Sequence, residues 1–305
     1  MRLEHERLDP FVTQPLVAVR ELLEVFHARH FEPDEVARVV GDPLCVRLRE
    51  ANSDRRCETE AVHGAQMLAE LVRANRPCVA LTGAGVSTES GIPDFRSPGG
   101  IWAQYDPMEY ASISAFRRDP EKVWDFYGRR LGVLERAEPN SAHVALAGLE
   151  RAGWVKAVIT QNIDRLHERA GSRDVVEVHG SVRTSSCLQC GSCLPFEEVV
   201  ARLPVPRCAC GQVLKPDVVM FGELLPVDAI ERATALAQEA ALMLVVGSSL
   251  EVHPVAALPE DTLRVGGKLA IVNRDPTPYD GEADLVLHES AGAVLAEVAR
   301  ALEVD

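Results

Sequence analysis

No stretch of this 305-residue chain approaches the roughly 18 consecutive apolar residues that a membrane-spanning helix requires. The N-terminus lacks the basic-then-apolar layout of a secretory leader, so the expectation is a cytoplasmic protein with no membrane partner. Basic residues are in deficit. Lys and Arg number 32 against 46 Asp and Glu, a formal net charge of −14, which argues against direct nucleic-acid binding. The same excess is compatible with attracting basic peptides, although it does not say where such a site lies. Internal repeats and low-complexity tracts are absent. What is present is an apolar fraction of 47%, ample for a large α/β domain carrying a smaller insertion.

Residues 1–60 stand apart. Leu16, Val19, Leu23 and Phe26 follow helical spacing, Pro33-Asp34 opens a second short helical pattern, and Gly41-Asp42-Pro43 ends it. This segment reads as a helical extension. From about Ala61 to the end, helix and strand patterns alternate. A helix with Leu68, Leu71 and Val72 on one face leads into an apolar strand over 78–81. Further short apolar runs follow at 155–159, 175–178, 242–246, 269–272 and 285–287, with helical patterns over 229–241 and 293–302. Such alternation predicts an α/β fold, a Rossmann-like parallel sheet with helices on both faces. The larger part of residues 61–305 covers about 61–96, 140–181 and 215–305. Two interruptions form a smaller domain: a helical, aromatic-rich stretch over 97–139 and a cysteine-bearing stretch over 182–214.

Four of the eight cysteines, Cys187, Cys190, Cys208 and Cys210, sit close together, which in a reducing compartment reads as metal binding and not as disulfides. The spacing is near that of a C-x₂-C…C-x₂-C zinc ribbon, with Gly191 and Gly211 supplying tight turns. The second pair is one residue short, and Cys193 is a spare that could substitute. Four thiolates leave no open coordination position, so the expected zinc is structural. Cys78, in the first apolar strand, reads as a buried thiol.

Directly after that strand comes Thr82-Gly83-Ala84-Gly85-Val86-Ser87. Glycines there allow close approach to a ligand, and a following helix start points N–H groups at phosphate. The dinucleotide fingerprint is nonetheless incomplete, since Thr88 stands where its third glycine falls. Ser87, Glu89, Asp94 and Arg96 crowd the same turn, which an ordinary dehydrogenase does not need. Ligands in open α/β sheets lie beyond the carboxyl ends of strands. Four other strand ends therefore matter: Gln161-Asn162-Ile163-Asp164, His179-Gly180, Gly247-Ser248-Ser249 and Asn273-Arg274-Asp275. A neutral His179 is suited to act as a general base, with His167 as a rival that fits packing or capping better.

Together with Val219-Met220-Phe221-Gly222-Glu223 and the paired cysteines, these motifs resemble the sirtuins, NAD-dependent protein-lysine deacylases, over Ala61 to about Ala301. The resemblance implies that Gly83, Ala84, Gly85 and Ser87 hold the pyrophosphate of NAD, while Asp94, Phe95 and Arg96 close over the nicotinamide side. It implies that Gln161, Asn162 and Asp164 line the ribose and nicotinamide pocket, with Asn162 and His179 as the catalytic residues and His179 as base. Gly247, Ser248, Ser249, Asn273, Arg274 and Asp275 then serve the adenosine half, with Ala291 near the adenine. Phe221, Gly222, Leu250 and Val252 lie on segments that would clamp an acylated lysine-containing peptide as an added strand. The implied reaction begins when the acyl-lysine amide oxygen attacks C1′ of the nicotinamide ribose and expels nicotinamide. His179 then takes a ribose hydroxyl proton, so that this hydroxyl attacks the resulting imidate and collects the acyl group, giving O-acyl-ADP-ribose. NAD is consumed, not cycled as a redox carrier.

Acetyl is the expected acyl group. Tyr127 and Arg130, at i and i+3 of a helical stretch, offer a second possibility: in the desuccinylase branch of the family such a pair grips a succinyl or malonyl carboxylate. A plain aromatic–Arg packing pair is the competing reading. ADP-ribosyl transfer or NAD hydrolysis would use the same pocket. A dehydrogenase is disfavoured by Thr88 and the crowded polar loop, and a non-catalytic zinc-ribbon interaction module is the blandest reading of the pattern.

Overall fold

The computed structural model describes residues 62–304, so the helical extension read over 1–60 lies outside the described residues. Nine strands follow in chain order: β1 (Cys78–Thr82), β2 (Val155–Thr160), β3 (Val175–Glu177), β4 (Gly180–Ser186), β5 (Cys193–Pro195), β6 (Lys215–Val218), β7 (Leu242–Val246), β8 (Lys268–Val272) and β9 (Leu285–Leu287). Six of them form one sheet in the order β3-β2-β1-β7-β8-β9, every pairing parallel. The central strands are continuous Val/Ile/Leu-rich runs because both faces are covered.

The principal helices are α1 (62–74), α2 (Pro120–Arg136), α3 (Ser141–Arg151), α4 (Val227–Glu239), α5 (Leu258–Arg264) and α6 (Ala291–Ala301). Alternation along each strand sorts side chains to opposite faces. Cys78, Ala80, Val158, Leu242 and Leu244 pack with Leu68 and Val72 of α1, Leu146 and Leu149 of α3, and Leu295 and Val298 of α6. Val79, Leu81, Ile159, Met243, Val245 and Ile271 pack on the other face with Ala233 and Leu236 of α4 and Leu258 of α5. Each fully buried aliphatic side chain contributes roughly 1.5–3 kcal/mol of transfer free energy, so these two layers dominate the stability of the sheet.

The smaller part joins α2 to a three-stranded antiparallel sheet, β5-β4-β6. Trp124, fully buried on α2, donates its indole N–H to the carbonyl of Leu214 at 2.6 Å and so ties the helical insertion to the cysteine-bearing one. Val123, Phe126, Leu131 and Leu134 from α2 share a core with Val182, Val218 and Met220 from the ribbon. Among the described residues no helix is long and apolar enough to cross a membrane.

Candidate active site

The strand order reverses direction between β1 and β7, and a crevice opens beyond the carboxyl ends of those two strands. Two glycine turns interlock at its floor. Gly83 N–H donates to Val246 O at 3.1 Å, and Gly85 N–H donates to Gly247 O at 2.8 Å. A Cβ on Gly83 would lie 2.8 Å from Gly247 O, and one on Gly85 would lie 2.8 Å from Gly247 Cα. Gly247 itself has φ of 60°, and its Cβ would meet Val86 N at 2.2 Å. The first requirement on these glycines is thus backbone-to-backbone packing, before any ligand arrives. From Ala84 to Ser90 the chain continues as a 3-10 helix, and Thr88 closes it by donating its hydroxyl to Gly85 O at 2.9 Å.

A cleft of about 390 Å³ lies above these turns. It collects Gly83, Ala84, Gly85, Ser87, Asp94, Phe95, Arg96, Gln161, Asn162, Asp164, His179, Gly247, Ser248, Ser249, Asn273 and Asp275, along with Tyr127, Arg130, Phe221, Gly222 and Val252. Three expected site residues do not line it. Leu250, in the left-handed region with φ of 54°, turns its side chain into the core beneath the sheet. Arg274 is exposed and does not line the cleft. Ala291 is buried in the layer of α6 against the sheet. Lining residues that the motifs did not single out include Ile92, Trp102, Ile163 and His253.

Beneath the cleft Asn162, Ser87 and Asp164 form one buried network. Asn162 donates both amide hydrogens inward, to Gly83 O and to Ser87 Oγ, each at 3.1 Å. Its oxygen is left as an acceptor on the side that lines the cleft. Ser87, 1% exposed, donates its hydroxyl hydrogen to Asp164 Oδ2 at 2.7 Å, so that hydrogen is not available to a phosphate. Asp164 Oδ1 accepts from Leu166 N at 2.9 Å, and Gln161 Nε2 donates to Ser248 Oγ at 2.8 Å. Asp94 likewise organises backbone, accepting from the N–H groups of Arg96 and Ser97. Asn273 donates to Asp275 O at 2.7 Å and holds the β8 turn.

His179 sits where the chain leaves the large sheet for the ribbon. Gly180 follows with φ of 71°, and a Cβ there would meet Asp217 O at 2.3 Å. His179 Nδ1 lies 3.0 Å from Gln161 O, a carbonyl that can only accept, so Nδ1 carries the proton and Nε2 is a free base. Burial pushes its pKa below the usual 6.5, outweighing the opposite effect of the Gln161 carbonyl, and this burial favours the neutral ring at pH 7. The rival, His167, is 2% exposed with Nε2 at 2.9 Å from Thr82 Oγ1, and it does not line the cleft.

Aromatic rings wall the other end. Trp102 lies 5.2 Å from Phe95, 6.0 Å from Phe126 and 6.1 Å from Phe221, centroid to centroid. The Arg130 guanidinium lies over Phe95 at 5.1 Å and over Phe126 at 5.4 Å, and makes no ion pair among the described residues. Burial lowers its pKa and pushes that of the neighbouring Tyr127 phenol up to about 12. Arg96 reaches Glu251 at 3.3 Å across the rim. Phe221 has its backbone already paired, donating to Ala111 O at 2.9 Å and accepting from Ile113 N at 3.0 Å.

Away from the cleft, the Sγ atoms of Cys187, Cys190, Cys208 and Cys210 all lie within 4.8 Å of one another. Two of the separations are 3.5 and 3.4 Å. Tetrahedral zinc with Zn–S near 2.3 Å sets sulfur atoms about 3.8 Å apart, so this donor set fits a closed structural site. Cys193 stays outside it, exposed on β5. Cys78 is fully buried, and desolvation pushes its thiol up to about 12, as an inert core thiol requires.

The Sir2 family model matches residues 83–254 of this chain. The NAD-dependent protein deacetylase of Sulfolobus acidocaldarius is 49% identical over 241 residues, covering 78% of this chain and 94% of that protein. The NAD-dependent protein deacylase 1 of Archaeoglobus fulgidus is 45% identical over 236 residues, covering 77% and 96%. Among solved structures, a Sir2–p53 peptide–NAD+ complex aligns with a TM-score of 0.72 at 43% identity, covering 77% of this chain and 96% of that one. Sir2Tm bound to a propionylated peptide aligns with a TM-score of 0.72 at 42% identity, covering 78% and 98%.

Proposed function

The chain belongs to the Sir2 family, and on that footing we propose that it removes acyl groups from protein lysine side chains at the expense of NAD. The observation that carries this reading is the free Nε2 of a neutral His179 in the same cleft as the outward-facing oxygen of Asn162. The residues fit NAD: a glycine-floored crevice at the switch point, a hydroxyl-rich turn at Ser248-Ser249, and an aromatic wall opposite. Bound NAD supplies a ribose carbon carrying nicotinamide as the leaving group. His179 Nε2 accepts a proton from a ribose hydroxyl, and its pKa below 6.5 keeps it ready to do so at neutral pH. The Asn162 oxygen orients hydroxyl or amide hydrogens beside it. Phe95, Trp102 and Phe221 keep water from the reacting carbon. The segments at 221–223 and 251–252 flank the entry for an acyl-lysine peptide, the proposed partner, and the cytoplasm is the proposed location.

Mass spectrometry of products from NAD plus a panel of acyl-lysine peptides tests this. Nicotinamide, free lysine peptide and O-acyl-ADP-ribose are expected from the wild type and not from His179→Ala. Nicotinamide release that ignores the peptide would instead support NAD hydrolysis.

Arg130 supports a second reading on acyl choice. A half-buried guanidinium without a carboxylate partner among the described residues is costly, and an acidic acyl chain would supply the missing charge. Turnover of succinyl-lysine against acetyl-lysine peptides decides it. Equal loss of both activities in Arg130→Ala would sink the carboxylate role.

A further inference from the structure

The first turn of α3 holds an unusual capping box. Asn140 accepts from the N–H groups of Ala142 and His143, and its own N–H donates to His143 Nδ1 at 3.3 Å. The third helical position of such boxes ordinarily carries Glu or Gln. Here an imidazole takes that place, and its second nitrogen has a second partner: Nε2 lies 3.4 Å from Ser87 Oγ.

The proton positions follow from the partners. Asn140 N–H can only donate, so His143 Nδ1 is the acceptor and Nε2 carries the hydrogen. Ser87 has one hydrogen, committed to Asp164, and two lone pairs, one facing Asn162 Nδ2. His143 Nε2–H fills the remaining one. Asn140 meanwhile grips the same 3-10 turn through its side-chain amide, donating to Val86 O at 2.8 Å and to Ser90 Oγ at 3.0 Å. His143 is fully buried, and that desolvation pushes its pKa down to about 4, so the neutral tautomer persists at pH 7.

We propose that His143 is a positioning residue for deacylation: acting through Ser87, it locks the Asn162 amide with its oxygen toward the cleft. A carboxylate at this position would cap α3 equally well and could not donate to Ser87. Without the Nε2–H donor, Ser87 is free to rotate its hydroxyl away from Asp164, and the Asn162 amide loses its fixed acceptor.

This rests on the deacylase reading above, and the test separates the two. His143→Leu, His143→Gln, Ser87→Ala and the Ser87→Ala/His143→Leu double variant are assayed for nicotinamide release with NAD and acyl peptide, with thermal unfolding in parallel. His143→Leu is expected to lower kcat by about 10- to 100-fold with the peptide KM little changed, as displacement of a reacting group does. His143→Gln keeps an acceptor for Asn140 and a donor for Ser87, and should recover activity to within about threefold of the wild type. On the Ser87→Ala background, His143→Leu should cost no more than about a further twofold, since the two act as one unit. Full additivity, or a His143→Gln loss equal to that of His143→Leu, overturns the positioning role alone. A wild type that releases no nicotinamide overturns the deacylase reading and this proposal with it.

Discussion

Acid should unfold this protein earlier than its carboxylates alone require, because two neutral histidines face each other inside it. The rings of His143 and His167 lie 4.8 Å apart, and neither residue is more than 2% exposed. Burial pushes their pKa values from 6.5 down to about 4 for His143 and about 3 for His167. The unfolded chain therefore binds up to two more protons than the folded one between pH 6.5 and about 4, and stability falls as pH falls. One pKa unit corresponds to about 1.4 kcal/mol, so the pair sets a slope of up to about 3 kcal/mol per pH unit. From pH 7 to pH 5 the loss amounts to about 3–4 kcal/mol, a large share of an ordinary folding free energy of about 5–15 kcal/mol. Unperturbed carboxylates titrate near 4, which leaves pH 5–6.5 to the histidines. The lowered pKa of His179 acts in the same sense. Glu177, raised by burial, acts oppositely at the lower edge. Urea unfolding at pH 7, 6 and 5 measures the slope. His143→Gln should remove about half of the pair's contribution. A loss below about 1 kcal/mol over this range, or the same slope in His143→Gln, would refute the buried neutral pair.

Three further outcomes follow from the geometry. The pH profile of kcat/KM for deacylation should show an acid limb with an apparent pKa below 6.5, from His179; a limb above 7 contradicts a desolvated base. Gly247→Ala should lower stability by at least about 2 kcal/mol and abolish NAD binding, since its Cβ would meet Val86 N at 2.2 Å; calorimetric titration that finds wild-type affinity refutes the interlock. Metal analysis should find one zinc per chain, lost in Cys187→Ser and retained in Cys193→Ser, with a lower Tm after chelation; zinc loss in Cys193→Ser would bring the spare cysteine into the site.

Strands of the large sheet were legible almost to the residue. The runs over 242–246 and 285–287 match β7 and β9, while β2 extends one residue beyond the expected run, to Thr160, and β8 begins one residue before it, at Lys268. Burial on both faces makes these strands uninterrupted aliphatic runs, and their ends fall at polar turns. The ribbon strands were not legible. Gly180–Ser186 reads GSVRTSS, with no apolar alternation, and its order depends on Thr184 and Ser186 both donating to Asp217 and on the cysteines beside it. Helix α3 also escaped, since its first turn is Ser141-Ala142-His143-Val144, in which the buried His143 interrupts the apolar pattern.

The candidate site divides along the same line. Residue types at strand ends were enough to collect a cleft, because the switch point of a parallel sheet gathers whatever the strands end in. Where each side chain points depends on partners far away in sequence. Leu250 was expected at the site, yet with φ of 54° its side chain packs in the core and does not line the cleft. Ser87 shows the limit most clearly. By sequence it stands in the phosphate turn, yet its hydroxyl hydrogen goes to Asp164, 77 positions away, and its lone pairs face Asn162 and His143. The Ser87 hydroxyl hydrogen is not on offer to a pyrophosphate, so Ser87→Ala should impair turnover more than NAD affinity. A Ser87→Ala variant that loses affinity while keeping kcat would return the hydroxyl to the phosphate and leave Asn162 without its anchor.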